Sequence, residues 1–397
     1  MTVPAPRARR RTSTLGRMLP LLLIAALLAP VGLLLTQSWQ HTGENRDQAS
    51  RARLGVEYLR ALAPITEALV EAQSAAVSGR PVPGEPLTRA VEQAATLDAR
   101  IGVELRSQER WAGLRAKLEA LRDRRPADPE SAYTAYGEVT DLLLDLHDKV
   151  RESSGLVRDP GADSYFLQDS VGQELPEAMV GAGRLADLGT LVSRRPAAER
   201  TRGLIELTSV RVSALAPANG VVDNLRSAVD SSESTDLGAN VLTPLDAYQR
   251  SVEALAAYST PAAGTGAVDP GQLAAAALNS RNAARQLQPV VLAELDALLV
   301  ERLDGLDRDR WITVGAAAVA VLLLGWLATL LIAAARRAHR RAATPTTDVD
   351  SSGDLTTGDP WQPPGGTGRP ADQRTLQPVG ATQHTEIAQW GPFDASR

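Results

Sequence analysis

The chain has 397 residues, enough for two or three domains at about 100–200 residues each, and 44% of them are apolar, mostly Ala, Leu and Val, with only 4% aromatic. That composition favours helix and nearly excludes an all-β fold, while the lack of any cysteine excludes disulfides, thiolate metal sites and a Cys nucleophile. Four scattered histidines leave little for a zinc or His-based catalytic centre, and a net charge of −5 gives no reason to expect nucleic acid as a partner.

The N-terminal residues 1–17 are basic, with Arg7, Arg9, Arg10, Arg11 and Arg17. Residues 18–35 follow without a charge and, at a rise of about 1.5 Å per residue, reach about 27 Å, just enough for a first membrane helix despite Pro20 and Pro30. The competing reading is a cleaved signal peptide, for which Thr36-Gln37-Ser38 makes a poor cleavage site.

Residues 36–310 hold 30 Lys plus Arg against 40 Asp plus Glu. Capping side chains precede proline at Asp128-Pro129, Asp159-Pro160, Thr243-Pro244 and Asp269-Pro270, each a helix start. Between these starts the apolar residues recur at spacings of three and four. Val171, Leu175, Met179, Ala182, Leu185, Leu188 and Val192 form one stripe; Leu292, Leu295, Leu299, Leu303 and Leu306 form another. The expected helices cover 37–78, 87–124, 129–153, 162–194, 196–231, 243–258 and 270–341. Pro176 is expected to kink its helix, and Asn219-Gly220 after Pro217 to break or kink another.

Residues 311–335 form the second expected span; Ile312–Ala335 carry no charge and reach about 36 Å. Arg336, Arg337, Arg340 and Arg341 follow. Arginines stay on the cytoplasmic side, and Trp39 and Trp311 suit the outer interface. Both termini are thus expected in the cytoplasm, with 36–310 outside a plasma membrane. Residues 336–397 are read as a basic juxtamembrane stretch and a tail that is disordered, since Thr344–Arg397 holds seven prolines and seven glycines and no apolar period. The fold class expected is all-α: an elongated antiparallel bundle of about six to seven helices between two transmembrane helices.

The run Leu156-Val157-Arg158-Asp159-Pro160-Gly161-Ala162-Asp163-Ser164-Tyr165-Phe166-Leu167-Gln168-Asp169 resembles the LxxDPxxDSYYLxD signature of extracytoplasmic sensor regions in methyl-accepting chemotaxis receptors and sensor histidine kinases. Leu54–Leu59, Glu174-Leu175-Pro176-Glu177, Gly183–Gly189 and Leu295–Arg302 resemble further elements of that family, in the same order. Where the family often carries His-Arg-Gly, this chain reads Glu71-Ala72-Gln73-Ser74-Ala75-Ala76. The resemblance implies a helical sensor domain and supplies no output domain, since no relay pattern follows Arg341.

Arg158, Asp159, Asp163, Tyr165 and Asp169 are the candidate ligand-binding set. Arg158 is suited to grip a carboxylate or phosphate with both arms of its guanidinium. Against that role stand helix capping by Asp159 and Asp163 and core packing by Tyr165 and Phe166. His147, between Asp145 and Asp148, is expected to be solvated. No nucleophile elbow or phosphate loop occurs, so no enzyme and no cofactor or metal is expected. The partners expected are the lipid bilayer, a small anionic ligand, a membrane-embedded signalling partner and a second copy of the chain. The alternative function is a structural scaffold of the cell envelope that kept the fold without sensing. A pocket between helices with arginines turned inward favours the sensor; a solid interior favours the scaffold.

Overall fold

Helix is the sole regular structure among the described residues, which are 15–156, 162–232, 235–261 and 268–342 of this computed structural model; the side chains of 15–28, 31, 34, 35, 38, 162, 163, 335 and 338–342 fall outside that description. In chain order come α1 (Leu15–Ser78), α2 (Gly84–Ile101), α3 (Gln108–Asp123), α4 (Pro129–Ser154), α5 (Ala162–Asp169), a π-helical turn (Ser170–Glu174), α6 (Leu175–Arg194), α7 (Ala197–Ser231), α8 (Thr235–Tyr258) and α9 (Pro270–Ala342). The tail expected to be disordered and the basic residues 1–14 lie outside the described residues.

The capped starts form as their chemistry dictates at two of the four positions. Asp128 accepts from the Ser131 backbone N–H at 2.9 Å and Pro129 opens α4. Asp269 accepts from the backbone N–H groups of Gly271 and Gln272 at 2.8 and 3.2 Å, ahead of α9. Asp159-Pro160 lies outside the described residues. Thr243-Pro244 starts nothing: α8 runs through it from Thr235 to Tyr258. Burial overrides the missing N–H there, because Leu237, Val241, Leu245, Tyr248, Val252 and Leu255 make one buried stripe that only a continuous helix can align. Pro217 is likewise carried inside an unbroken α7.

Sequence expects one helix over 87–124, and the structure divides it. Between α2 and α3 the chain reverses over 102–107, with Arg106 at φ 51°. Tyr58 and Ser107 both donate to Asp98 Oδ1, at 2.8 and 2.7 Å, and all three are buried. The buried carboxylate is satisfied only when the chain turns there, so the bond pattern of one side chain ends α2 where no proline marks the place.

One apolar core runs through α1–α9. The α6 stripe predicted from Val171 to Val192 is buried throughout. His147 corrects the expectation of solvation: it is 1% exposed, faces α1, and lies with Nε2 3.3 Å from Thr66 Oγ1. The Thr66 hydroxyl lies equally 3.3 Å from the Leu62 carbonyl, and the imidazole Nδ1 has no hydrogen-bond partner among the described residues. Burial pushes its pKa down to about 3.

Helices α1 and α9 run antiparallel along a shared face. Glu67 pairs with Arg285 at 2.7 Å, Arg53 with Asp296 at 2.9 Å and Arg46 with Asp307 at 3.3 Å, and the Arg310 guanidinium sits 4.2 Å from the centre of the Trp39 ring. As the numbers fall on α1 they rise on α9. Leu273, Leu287, Val291, Leu292, Leu295 and Leu299 of α9 are core residues, whereas Leu303 and Leu306 of the predicted stripe are only half-buried. Beyond them α9 becomes long and apolar enough to cross a membrane, with that apolar stretch unburied. It is the one such helix found among the described residues; the side chains of the first expected span fall largely outside the description.

Candidate functional site

The run from Ala162 to Arg194 changes pitch at Ser170–Glu174, where the backbone widens into a π turn immediately before Pro176. A proline has no N–H to give to the turn before it, and a π turn is a common way for a helix to absorb such a gap; such turns often sit at functional positions. The widened turn brings polar side chains of four helices together beneath it.

Asp169 accepts from Arg151 Nη1 of α4 at 2.8 Å and from Asn224 Nδ2 of α7 at 3.0 Å. The same Asn224 amide donates to Glu174 at 2.8 Å. Arg151 also reaches Asp148 at 3.8 Å. Glu174 lies over Gly220, where any Cβ would overlap its carboxylate, so the residue expected to break α7 instead makes room for Glu174. Burial, followed by the neighbouring Asp169 carboxylate, pushes the Glu174 carboxyl up to about 7. Burial raises Glu177 and Asp148 as well. Arg151 Nε, Ser170 Oγ and the Tyr248 hydroxyl are buried without a hydrogen-bond partner among the described residues, and Tyr248 is raised by burial and then by Glu174. Asp148, Asp169 and Glu177 thus bear on the Arg151 guanidinium, and Glu174 adjoins them through Asp169 and Asn224. Such a cluster is poised to take up a proton.

Of the two candidate residues whose side chains are described, Asp169 enters this cluster and Tyr165 does not. Tyr165 stands 44% exposed on α5, its ring edge-to-face with Phe166 at 5.6 Å, and of that pair Phe166 packs on the core. Asp163 lies in α5 with its side chain outside the description, and Arg158 and Asp159 lie outside the described residues. Arg151, Glu174 and Asn224 are the side chains of this cluster that carry no motif in the sequence. Glu174 sits in a run quoted above only for its Leu-Pro pattern, and a helix period of 3.6 carries no sign of a π turn.

No family model, curated protein or solved structure matches the chain. Its chemistry therefore rests on its own geometry.

A second buried polar group joins α1, α6 and α9. Gln73 donates to Asp187 at 2.9 Å, and the Arg281 guanidinium lies 3.7 Å from Glu71 with its side chain 13% exposed. Burial pushes the Asp187 carboxyl up to about 6, against hydrogen bonds from Gln73 and Ser74 that pull it down, and burial likewise lowers Arg281. A cleft of about 520 Å³ also opens at the surface between the end of α1 and helices α2, α3 and α4, and the exposed Arg115, Arg122 and Arg125 are among its lining residues.

Proposed function

We propose that the chain is a membrane-anchored sensor: residues 36–310 form an extracytoplasmic antiparallel helical bundle between two transmembrane helices, and ligand binding biases the position of the second span. The observation that carries this reading is α9 itself, one uninterrupted helix that belongs to the core from Leu273 to Leu299 and becomes an unburied apolar span beyond Ile312. A shift of that helix relative to its neighbours reaches the bilayer without passing through a loop. Signalling then needs two positions of the helix that differ by a few kcal/mol and a ligand that favours one.

The register of α1 against α9 supports two anchors. Carried one turn further, the pairing that stacks Arg310 on Trp39 sets the end of the first apolar segment beside the start of the second. Trp39 and Trp311 then share one level, as an interfacial aromatic belt requires. The resemblance of Leu156–Asp169 to sensor domains agrees with this role, and a cleft opens between helices, with its arginines at the surface rather than turned inward. The change is read by a second membrane protein packed beside the span.

Cross-linking in intact membranes tests the reading. A photo-reactive group placed along residues 303–341 is expected to trap a different membrane protein. Recovery of the chain alone, or only with copies of itself, returns the scaffold to first place.

A further inference from the structure

The cleft at the end of α1 deepens the sensing reading by supplying a site and a ligand class. Ser78, the last residue of α1, is roughly 60 Å along the helix from Trp39 at 1.5 Å per residue, so the cleft is remote from the expected bilayer surface. Its volume of about 520 Å³ falls in the range of small-molecule pockets. Val82, Leu87, Val91, Leu118, Leu121 and Tyr136 give it apolar walls.

The charges on its lining are unequally committed. Asp128 spends its carboxylate on the cap of α4, with Ser131 donating to both oxygens. Glu119 faces Arg115 at 3.5 Å. Arg122 meets only Asp123, at 3.6 Å, with both side chains 73% exposed, a pairing that water largely screens. Arg125 has no carboxylate partner among the described residues, and it bears electrostatically on Tyr136, whose hydroxyl it lowers against the rise from burial. Glu92 is the one lining carboxylate left without a partner among the described residues. Two available guanidiniums therefore face one available carboxylate above an apolar floor.

We propose that this cleft binds an amphiphilic monocarboxylate, in chemistry a free medium-chain fatty acid. Its tail lies along Leu87, Val91, Leu118 and Leu121. Its head group is held by the planar fork of Arg125, with Arg122 beside it, because a guanidinium binds a carboxylate through two parallel N–H bonds.

The full chain in lipid nanodiscs, titrated calorimetrically with decanoate, decanol and decylamine, tests the site. Decanoate is expected to bind saturably, and decanol and decylamine each at least about ten-fold more weakly, the loss of one charge-assisted head-group bond. Arg125→Gln removes an exposed cation and is expected to weaken decanoate about ten-fold while leaving decanol unchanged. Val82→Trp fills the mouth from a 43% exposed position and is expected to abolish binding of all three, with the helical circular dichroism and melting of both variants as wild type. No saturable decanoate binding, equal binding of decylamine, or unaltered binding by Arg125→Gln overturns the proposal. Spin labels on Glu44→Cys and Arg308→Cys, clean in a chain without cysteine, separate site from function. If decanoate binds as expected yet leaves their distance unchanged, the site stands and the sensing reading falls.

Discussion

Gln73 of α1 donates its side-chain amide to Asp187 of α6 at 2.9 Å, and both residues are at most 3% exposed. A carboxylate held this deep is tolerated because Gln73 and Ser74 bond to it and Arg281 lies near. Removing a partner strands the rest. Asp187→Ala is expected to cost about 3 kcal/mol, since it takes one carboxylate from the buried Arg281 and leaves it Glu71 and Glu67. Gln73→Leu is expected to cost about 1–3 kcal/mol, the penalty of an under-bonded buried oxygen. Urea unfolding of the segment 37–310, followed by circular dichroism, measures both.

The carboxylates raised by burial set the alkaline side of the stability profile. Glu174 and Asp187 titrate near 7 and 6 when folded, above their usual 4.5 and 3.8. The folded protein therefore holds more protons than the unfolded chain between about pH 4 and 7. Their contribution is complete below that window and is lost as pH rises through it. Glu174→Gln keeps an oxygen for Asn224 and removes the titration; it is expected to flatten the decline and to raise stability at pH 8 by on the order of 1–3 kcal/mol. A decline of unchanged slope in unfolding at pH 5 and 8 contradicts the assignment.

His147 sets the acid side. Its folded pKa of about 3 lies below the usual 6.5, so the unfolded chain takes up the proton first as pH falls. Stability contributed by the neutral ring is complete above pH 6.5 and is lost toward pH 3, by about 2 kcal/mol at pH 5. His147→Leu is expected to weaken that acid loss. At neutral pH it forfeits the bond to Thr66, which the difference between the two pH arms isolates.

Close approach governs the contact of α6 with α7. A Cβ on Gly181 would come 2.8 Å from the Ala214 Cα, backbone that has no rotamer with which to yield. Gly181→Val is expected to destabilise by about 1–3 kcal/mol through overpacking, although valine is the better helix former. An increase in the denaturation midpoint would show that the helices separate freely.

Much of the helical framework was legible because its signals are local. Asp128-Pro129 and Asp269-Pro270 announce α4 and α9 through caps that need only neighbouring backbone. The stripe from Val171 to Val192 announces its own burial. The failures share one cause, dependence on a distant partner. The reversal at 102–107 is dictated by Tyr58, some forty residues earlier, bonding to Asp98. His147 is drawn inward by Thr66 across the core, against the charges flanking it in sequence. At the site, Asp169 was found through its motif, while Asn224 and Arg151, which give it its surroundings, lie on other helices with no motif of their own.

The rungs between α1 and α9 change character along their length. Leu299 is the last buried residue of α9 among the described ones, and Ala49 the first of α1. Below these the helices are joined by Arg46 with Asp307 and by Arg310 on Trp39, the ion pair about 45% exposed on each side. An exposed ion pair contributes about 0–1 kcal/mol and is readily exchanged for water, whereas interdigitated core leucines move only between discrete packed arrangements. The contact between the two helices is thus fixed by packing at one end and by charge at the other. Added salt is expected to loosen the charged end while leaving the packed end unchanged.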